Sequence, residues 1–299
     1  MKIIVPTNNK GGVGKTKLSI IIAEYFGLNL AENINLKKRV LVIDFDPQCN
    51  FSRRFLKMEN DPSSPSGVMP PIHHDYDEID PDYAGWDGRS SIADIFYGAP
   101  FGIIPYQTDI QNIDIMPGHA EKLLEAEAVR KGEVVEKVYN QLSLFLSSPD
   151  VLETYDVVII DTAPSKGPLT VAAVKAATHI IIPSVMEEQP IQGVYGMLQL
   201  WMQESLRRQQ SKPLKLVGIL PNIVRPINLH KDMLLSLKEN KSLSQYVMPM
   251  QLSQRAAFAE VDAEGALPRT IFDLPDDNIA KQEALSVCEY IAKRVFSND

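Results

Sequence analysis

The chain has 299 residues, is 44% hydrophobic and carries a formal net charge of −8 at pH 7. That content supports one large core or two small ones, and the acidic balance argues mildly against a dedicated nucleic-acid binder. Two cysteines, Cys49 and Cys288, are too few for a disulfide framework or a zinc site, and no apolar run nears the roughly 18 residues of a membrane span, so a cytoplasmic chain is the simplest account.

The first expected element is a short apolar strand, Ile3 to Thr7, feeding the run Asn9-Lys10-Gly11-Gly12-Val13-Gly14-Lys15-Thr16. A helical stretch from Lys17 to Ala31 follows. Because the N-terminus reads as a strand feeding this loop, it is not expected to be a signal peptide. Strand, glycine-rich loop, Gly-Lys-Thr and helix form the arrangement that grips a nucleoside triphosphate. The backbone N–H groups of Gly11, Gly12, Val13 and Gly14 can cradle phosphate oxygens because no Cβ stands in the way at the glycines. Lys15 can reach the β- and γ-phosphates, the Thr16 hydroxyl can ligate Mg²⁺, and Lys17 continues the binding loop. The loop departs from the common spacing: Asn9 stands at the first glycine position, and a second lysine, Lys10, has entered.

Val40 to Asp44 is the next apolar strand, and it runs into Asp44-Phe45-Asp46-Pro47-Gln48. Asp44 ends its strand near the expected metal position. Asp46 falls just beyond, where a carboxylate can orient an attacking water. Residues 58–90 then hold eight acids against a single Arg89, which is −7 of the net charge, together with five prolines. Acidic, proline-rich and poor in apolar periodicity, the segment reads as a flexible surface insertion.

Ile113 to Met116 is a short strand expected at a sheet edge, and Ala120 to Leu146 is a long amphipathic helix. Val157-Val158-Ile159-Ile160-Asp161 has four apolar residues and an acid, the shape of a Walker B element, so Asp161 can hold Mg²⁺ through a water. Strands follow at His179–Pro183 and Leu216–Asn222, with helices over 192–210, from a cap at Asn228 to Asn240, and from Asp276 or Asp277 to near Phe296. Apolar strands alternating with helices predict an α/β fold: a mostly parallel twisted sheet with helices on both faces, in a single domain spanning 1–299 with the insertion at 58–90.

The motifs Lys10-Gly-Gly-Val-Gly-Lys15-Thr16, Asp44-Phe-Asp-Pro-Gln48 and Asp161-Thr-Ala-Pro164 resemble the ParA/MinD family of deviant Walker A P-loop ATPases. Asp-Pro-Gln points to its ParA branch, which segregates plasmids and chromosomes. Asp114-Ile-Met-Pro-Gly118, Ile182-Pro183 followed by Glu187-Glu188 and Gly193, and Gln254 to Glu260 with Gly265 extend the likeness over nearly the whole chain outside the insertion. The resemblance implies that Lys10 crosses a dimer interface to the partner's phosphates, that Asp46 is needed for hydrolysis, and that Asn222 reads the adenine edge. It implies ATP and Mg²⁺ as ligands, a nucleotide-sandwich homodimer, DNA binding without sequence preference, a ParB-like adaptor partner, and nucleoid association when ATP is bound. Lys17 departs from the family, which more usually has threonine there. With the P-loop so near Met1, a partition ATPase that also represses its own operon is not expected.

A MinD-like ATPase working on membrane is the alternative reading. Such proteins end in a basic amphipathic helix, whereas here Leu285, Cys288, Ile291, Ala292 and Val295 read as a core-packing stripe. An iron–sulfur relative would need cysteines grouped beyond the P-loop, and a protein-interaction switch with weak chemistry would not need the intact acids. Arg207, Arg208, Arg225, Lys231, Arg255 and Arg269 are candidate DNA contacts.

Overall fold

A computed structural model describes residues 1–32, 34, 36, 38–64, 67–80, 85–98, 102–129, 132–263 and 265–297. Seven strands form one sheet: β1 (Lys2–Pro6), β2 (Arg39–Phe45), β5 (Tyr106–Gln107), β6 (Ile113–Met116), β7 (Tyr155–Thr162), β8 (His179–Ser184) and β9 (Lys215–Pro221). A separate ribbon pairs β3 (Glu59–Asn60) with β4 (Val68–Met69). The helices are α1 (Lys15–Gly27), α2 (Asn50–Phe55), α3 (Ala120–Ala128), α4 (Gly132–Leu146), α5 (Pro149–Thr154), α6 (Pro168–Ala176), α7 (Glu188–Leu206), α8 (Asn228–Glu239), α9 (Ala256–Glu260) and α10 (Ile279–Phe296).

The sheet order is β5-β6-β2-β7-β1-β8-β9, parallel throughout except for β5. Successive side chains of a strand point to opposite faces, and here both faces are covered, which is why the strands read as unbroken apolar runs. Ile4, Val42 and Ile159 pack with Leu18, Ile22, Cys288 and Ile291 of α1 and α10. Val5, Leu41, Ile43, Val158 and Ile160 pack on the other side with Leu123, Leu142, Leu169 and Ala173 of α3, α4 and α6. A third cluster joins Ile182 and Ile219 to Met197 and Leu237 of α7 and α8. The strand order reverses at β1, between β7 and β8, so the loop leaving β1 opens at the crevice where parallel sheets bind ligands.

Several boundaries differ from expectation for local reasons. The helix expected over 120–146 is two helices, because Val129 takes an extended conformation after α3 and the chain restarts at Gly132. Ile113–Met116 is not the edge strand: the two-residue β5, too short to signal itself, pairs antiparallel outside it. Asn228 is the first residue of α8 and makes no side-chain cap; Ile227 holds the cap position. Neither Asp276 nor Asp277 caps α10. Asn278 does, its Oδ1 accepting the N–H groups of Ala280 at 2.9 Å and Lys281 at 3.4 Å. α1 begins at Lys15 and stops at Gly27, short of Ala31.

The described residues of 58–90 also differ from a segment without packed side chains. Val68 is buried with Cys49 and Ala120. His73 is buried against Tyr106 of β5, its ring stacked on His74, and Trp86 meets Tyr76 edge to face. Tyr106 Oη donates to the Pro71 carbonyl and accepts the Ser90 N–H. Aromatic side chains do here what aliphatic periodicity does elsewhere, so a pattern search for strands or helices passes over them.

Candidate functional site at the carboxyl ends of the central strands

The loop from β1 is held by its own polar residues. Asn8 donates to the Pro183 carbonyl at 2.9 Å and accepts the Lys10 N–H at 3.1 Å. Gly14 has φ +78°, left-handed backbone that a β-carbon disfavours, and a Cβ there would lie 2.5 Å from Asn222 Nδ2. Gly193 lets α7 approach the loop closely, since a Cβ would come within 2.8 Å of Lys10 Cγ. Lys15, only 6% exposed, is parked with Nζ on the Lys10 carbonyl at 3.2 Å. Burial lowers its pKa, while the nearby charges of Asp161 and Asp46 oppose that shift.

The acids meet where the sequence placed them. Asp44 and Asp161 are register partners across β2 and β7. Thr16 donates its hydroxyl to Asp161 Oδ2 at 2.6 Å, and Ser19, one turn along α1, donates to Oδ1 at 3.0 Å. Asp44 is enclosed completely, with Oδ2 accepting both the N–H and the hydroxyl of Ser52 at 2.7 Å, and Oδ1 accepting the Asp46 N–H at 3.1 Å. Burial, then the charge of Asp161, pushes the Asp44 carboxyl up to about 8, and burial pushes Asp161 up to about 6. Two buried carboxylates side by side disfavour their own ionisation, which is the electrostatic condition that a cation relieves. Asp46 is 8% exposed and accepts the Gln48 N–H at 2.9 Å.

Asn222 follows β9 directly, beside the loop. Its Nδ2 donates to the carbonyls of Val13 at 2.8 Å and Gly14 at 3.5 Å, and its Oδ1 accepts the Ile223 N–H. It lines a cavity of about 320 Å³ with Gly14, Lys17 and residues of 252–262. Lys10 and Gly11 face a second cavity, of about 410 Å³, across from Glu187 to Pro190. The structure therefore brings Lys10, Lys15, Thr16, Asp44, Asp46, Asp161 and Asn222 to one end of the sheet. Lys17 is the exception: its ammonium turns away to Asp262 and the Phe258 carbonyl.

Ser19 and Ser52 were missed in the sequence. Ser19 lies three residues after Thr16 on the same helix face, a legible spacing. Ser52 reaches Asp44 only through the turn into α2, which no local pattern records.

Most candidate DNA-contact cations are engaged within the chain. Arg208 donates to the carbonyls of Val174, Lys175 and Ala177 at the end of α6. Arg207 pairs with Glu204, Arg225 with Glu187, Arg255 with Glu283 and Arg269 with Asp109. Lys231 is exposed on α8. Both thiols are buried, Cys49 on the acid loop and Cys288 in α10 against α1. Among the described residues, no helix is long and apolar enough to cross a membrane.

Residues 1–215 match the AAA domain family. The sporulation initiation inhibitor protein Soj of Bacillus subtilis is 30% identical over 197 residues, covering 66% of this chain and 63% of that protein. The chromosome-partitioning ATPase Soj of Thermus thermophilus is 29% identical over 217 residues, covering 73% of this chain and 67% of that protein. The matches thus span about two thirds of the length of these curated relatives. Among solved structures, a McdA–ATP complex from Cyanothece superposes with a TM-score of 0.68 at 18% identity, covering 98% of this chain and 96% of that one, so the fold is shared. Matched over its first 215 residues and carrying the motifs of this family at one end of its sheet, the chain belongs to the ParA/MinD family of P-loop ATPases, in the ParA branch.

Proposed function

We propose that this chain is a partition ATPase that binds ATP with Mg²⁺, dimerises around the nucleotide, binds DNA without sequence preference and hydrolyses ATP to ADP and phosphate. The convergence of Lys15, Thr16, Asp46 and Asp161 at the mouth of the β1 loop carries this reading. The donor set suits Mg²⁺, because a hydroxyl and carboxylate oxygens are hard ligands and the crowded acids favour a cation. Thr16 and Asp161 would hold the ion, with Asp44 beside them, and when bound it would draw charge from the phosphate oxygens. Lys15 binds the β- and γ-phosphates. Backbone N–H groups of residues 11–16 hold the phosphate chain. Asp46 orients the attacking water and accepts its proton. Asp44 keeps Asp46 in place by holding its N–H and anchoring α2 through Ser52. Asn222 supports the loop on the side where the base would lie.

Chromosome partition is what the Thermus relative is named for, and ATP is what the McdA complex holds. A ParB-like adaptor, the nucleoid as location and the reading of 1–299 as one domain belong to the same proposal. The membrane alternative fits less well, because the apolar face of α10 (Cys288, Ile291, Ala292 and Val295) is buried in the core.

Co-sedimentation with unrelated DNA duplexes and with anionic liposomes, each with ATP, ADP or no nucleotide, tests the proposal. ATP-dependent DNA binding is expected, with log K falling by roughly 0.9 per log unit of salt for each phosphate neutralised. ATP-dependent liposome binding without DNA binding would replace this reading with the membrane one.

A further inference from the structure

The 320 Å³ cavity beside Gly14 and Asn222 has a far wall made by residues 252–262. That wall has little internal support. It includes only α9, five residues long, and so short a helix does not hold itself together in water. Leu252 and Gln254 bond the backbone of Pro221 and Val224 at 3.0 Å, Leu252 and Val261 are buried in the core, and polar ties fasten the wall at both ends. At one end Glu283 of α10 accepts the Ser253 N–H at 2.8 Å, the Ser253 hydroxyl at 2.9 Å and Arg255 Nη2 at 2.7 Å. At the other end Lys17 donates to the Phe258 carbonyl at 2.6 Å and to Asp262 Oδ2. Arg54, buried and paired with Glu24 of α1, stands 3.7 Å from the other oxygen of Asp262.

Lys17 follows Thr16 directly, so the first turn of α1 grips the phosphate site on one side and the cavity wall on the other. Its side chain is 24% exposed and that of Asp262 is 29% exposed, so solvent screens the pair only in part. The cavity suits the base and ribose of a nucleotide whose phosphates lie in the loop.

We propose that Lys17 and Asp262 form a latch that ties residues 252–262 to the phosphate-binding helix and so shapes the pocket for the nucleoside half of the ligand. This rests on the ATP reading above. Lys17 and Asp262 are positioning residues, and the latch governs nucleotide affinity rather than the chemical step.

Titration calorimetry with Mg²⁺-ATP and with Mg²⁺-tripolyphosphate, which lacks base and ribose, separates the two halves of the site. Asp262→Asn should weaken ATP binding about tenfold and tripolyphosphate binding less than twofold, with a matching rise in KM and kcat within threefold. Lys17→Met, which also loses the bond to the Phe258 carbonyl, should weaken ATP binding at least as much, and the double variant should be no weaker than Lys17→Met alone, because Asp262 has already lost its partner there. Asp262→Glu should recover most of the affinity. Hydrogen exchange over 252–262 in the nucleotide-free chain should rise in both single variants. Equal losses for both ligands, additive losses in the double variant, or unchanged affinity and exchange would overturn the latch. A wild-type chain that binds neither ligand, with 252–262 protected, would overturn the ATP reading instead.

Discussion

Lys15 and Asp46 lie near enough for their charges to interact, and the proposed function gives them different work. The Lys15 ammonium is buried with carboxylates around it and nothing stronger than a backbone carbonyl to bond, so its charge is held ready for phosphate. Lys15→Ala removes charge-assisted bonds worth about 1.5–3 kcal/mol each, so ATP affinity should fall at least tenfold by calorimetry. Wild-type affinity in that variant would show that the loop is not the phosphate site. The Asp46 carboxylate accepts a local turn bond from the Gln48 N–H and, among the described residues, none from the β1 loop. Asp46→Ala should therefore leave ATP binding within about threefold and lower kcat by about a hundredfold, the scale of one general base. A variant with normal turnover in a phosphate-release assay would move that role elsewhere. The lysines and acids of this site were readable one by one. What could not be read is that Ser19 and Ser52 orient the two buried aspartates, because Ser52 meets Asp44 only once α2 folds back over β2.

Among the elements, the 58–90 segment carries the clearest physical signal. The Asp75 N–H donates to His73 Nδ1 at 3.1 Å, which leaves the ring proton on Nε2, 3.2 Å from the Pro105 carbonyl. The network thus selects a neutral ring, and burial lowers the pKa of His73 below its ordinary 6.5. Below pH 6.5 the unfolded ring binds a proton that the folded ring refuses. The contribution of His73 is thus present above that pH and is lost as the pH falls below it. Hydrogen exchange in residues 67–80 and 85–90 should rise between pH 7.5 and 5.5, after correction for the intrinsic exchange rate. His73→Gln should remove most of that dependence, and equal dependence in both proteins would refute the assignment. The acidic, proline-rich composition of this segment was legible. Its packing was not, since His73, Trp86 and Tyr106 find each other across residues that no periodicity links.

In the whole molecule, the proposed dimer gives Lys10 a role that a partner protomer would complete. Its N–H is tied to Asn8, it is partly exposed at the mouth of a 410 Å³ cavity, and the proposed function already gives Lys15 the phosphates of its own chain. If Lys10 meets a partner's nucleotide, Lys10→Ala should keep ATP binding within about threefold and abolish the ATP-dependent dimer in sedimentation velocity. A variant that dimerises with ATP as the wild type does would exclude the sandwich arrangement. Dimerisation also bears on DNA. Five of the six candidate arginines and lysines are engaged within the chain, so this set leaves a single protomer only Lys231 to offer. Two protomers on one duplex would add theirs together.

By itself the sequence determined the parallel α/β sheet, the phosphate loop and the strand-end acids. Those features are local: a run of apolar residues covered on both faces, glycines where backbone must meet phosphate, and an aspartate where a parallel strand ends. Even the pairing of Asp44 with Asp161 follows once their strands are neighbours, because both stand at the same height in the register. The tertiary structure alone decided the matters that depend on distant segments. It turned Lys17 from the phosphates to Asp262, 245 residues away in the chain. It made Asn222 a prop for the loop and engaged most of the candidate DNA-contact cations with acids and carbonyls. A long polar side chain reaches whichever partner the fold sets within hydrogen-bonding distance, and that neighbour is chosen by the packing of the whole core.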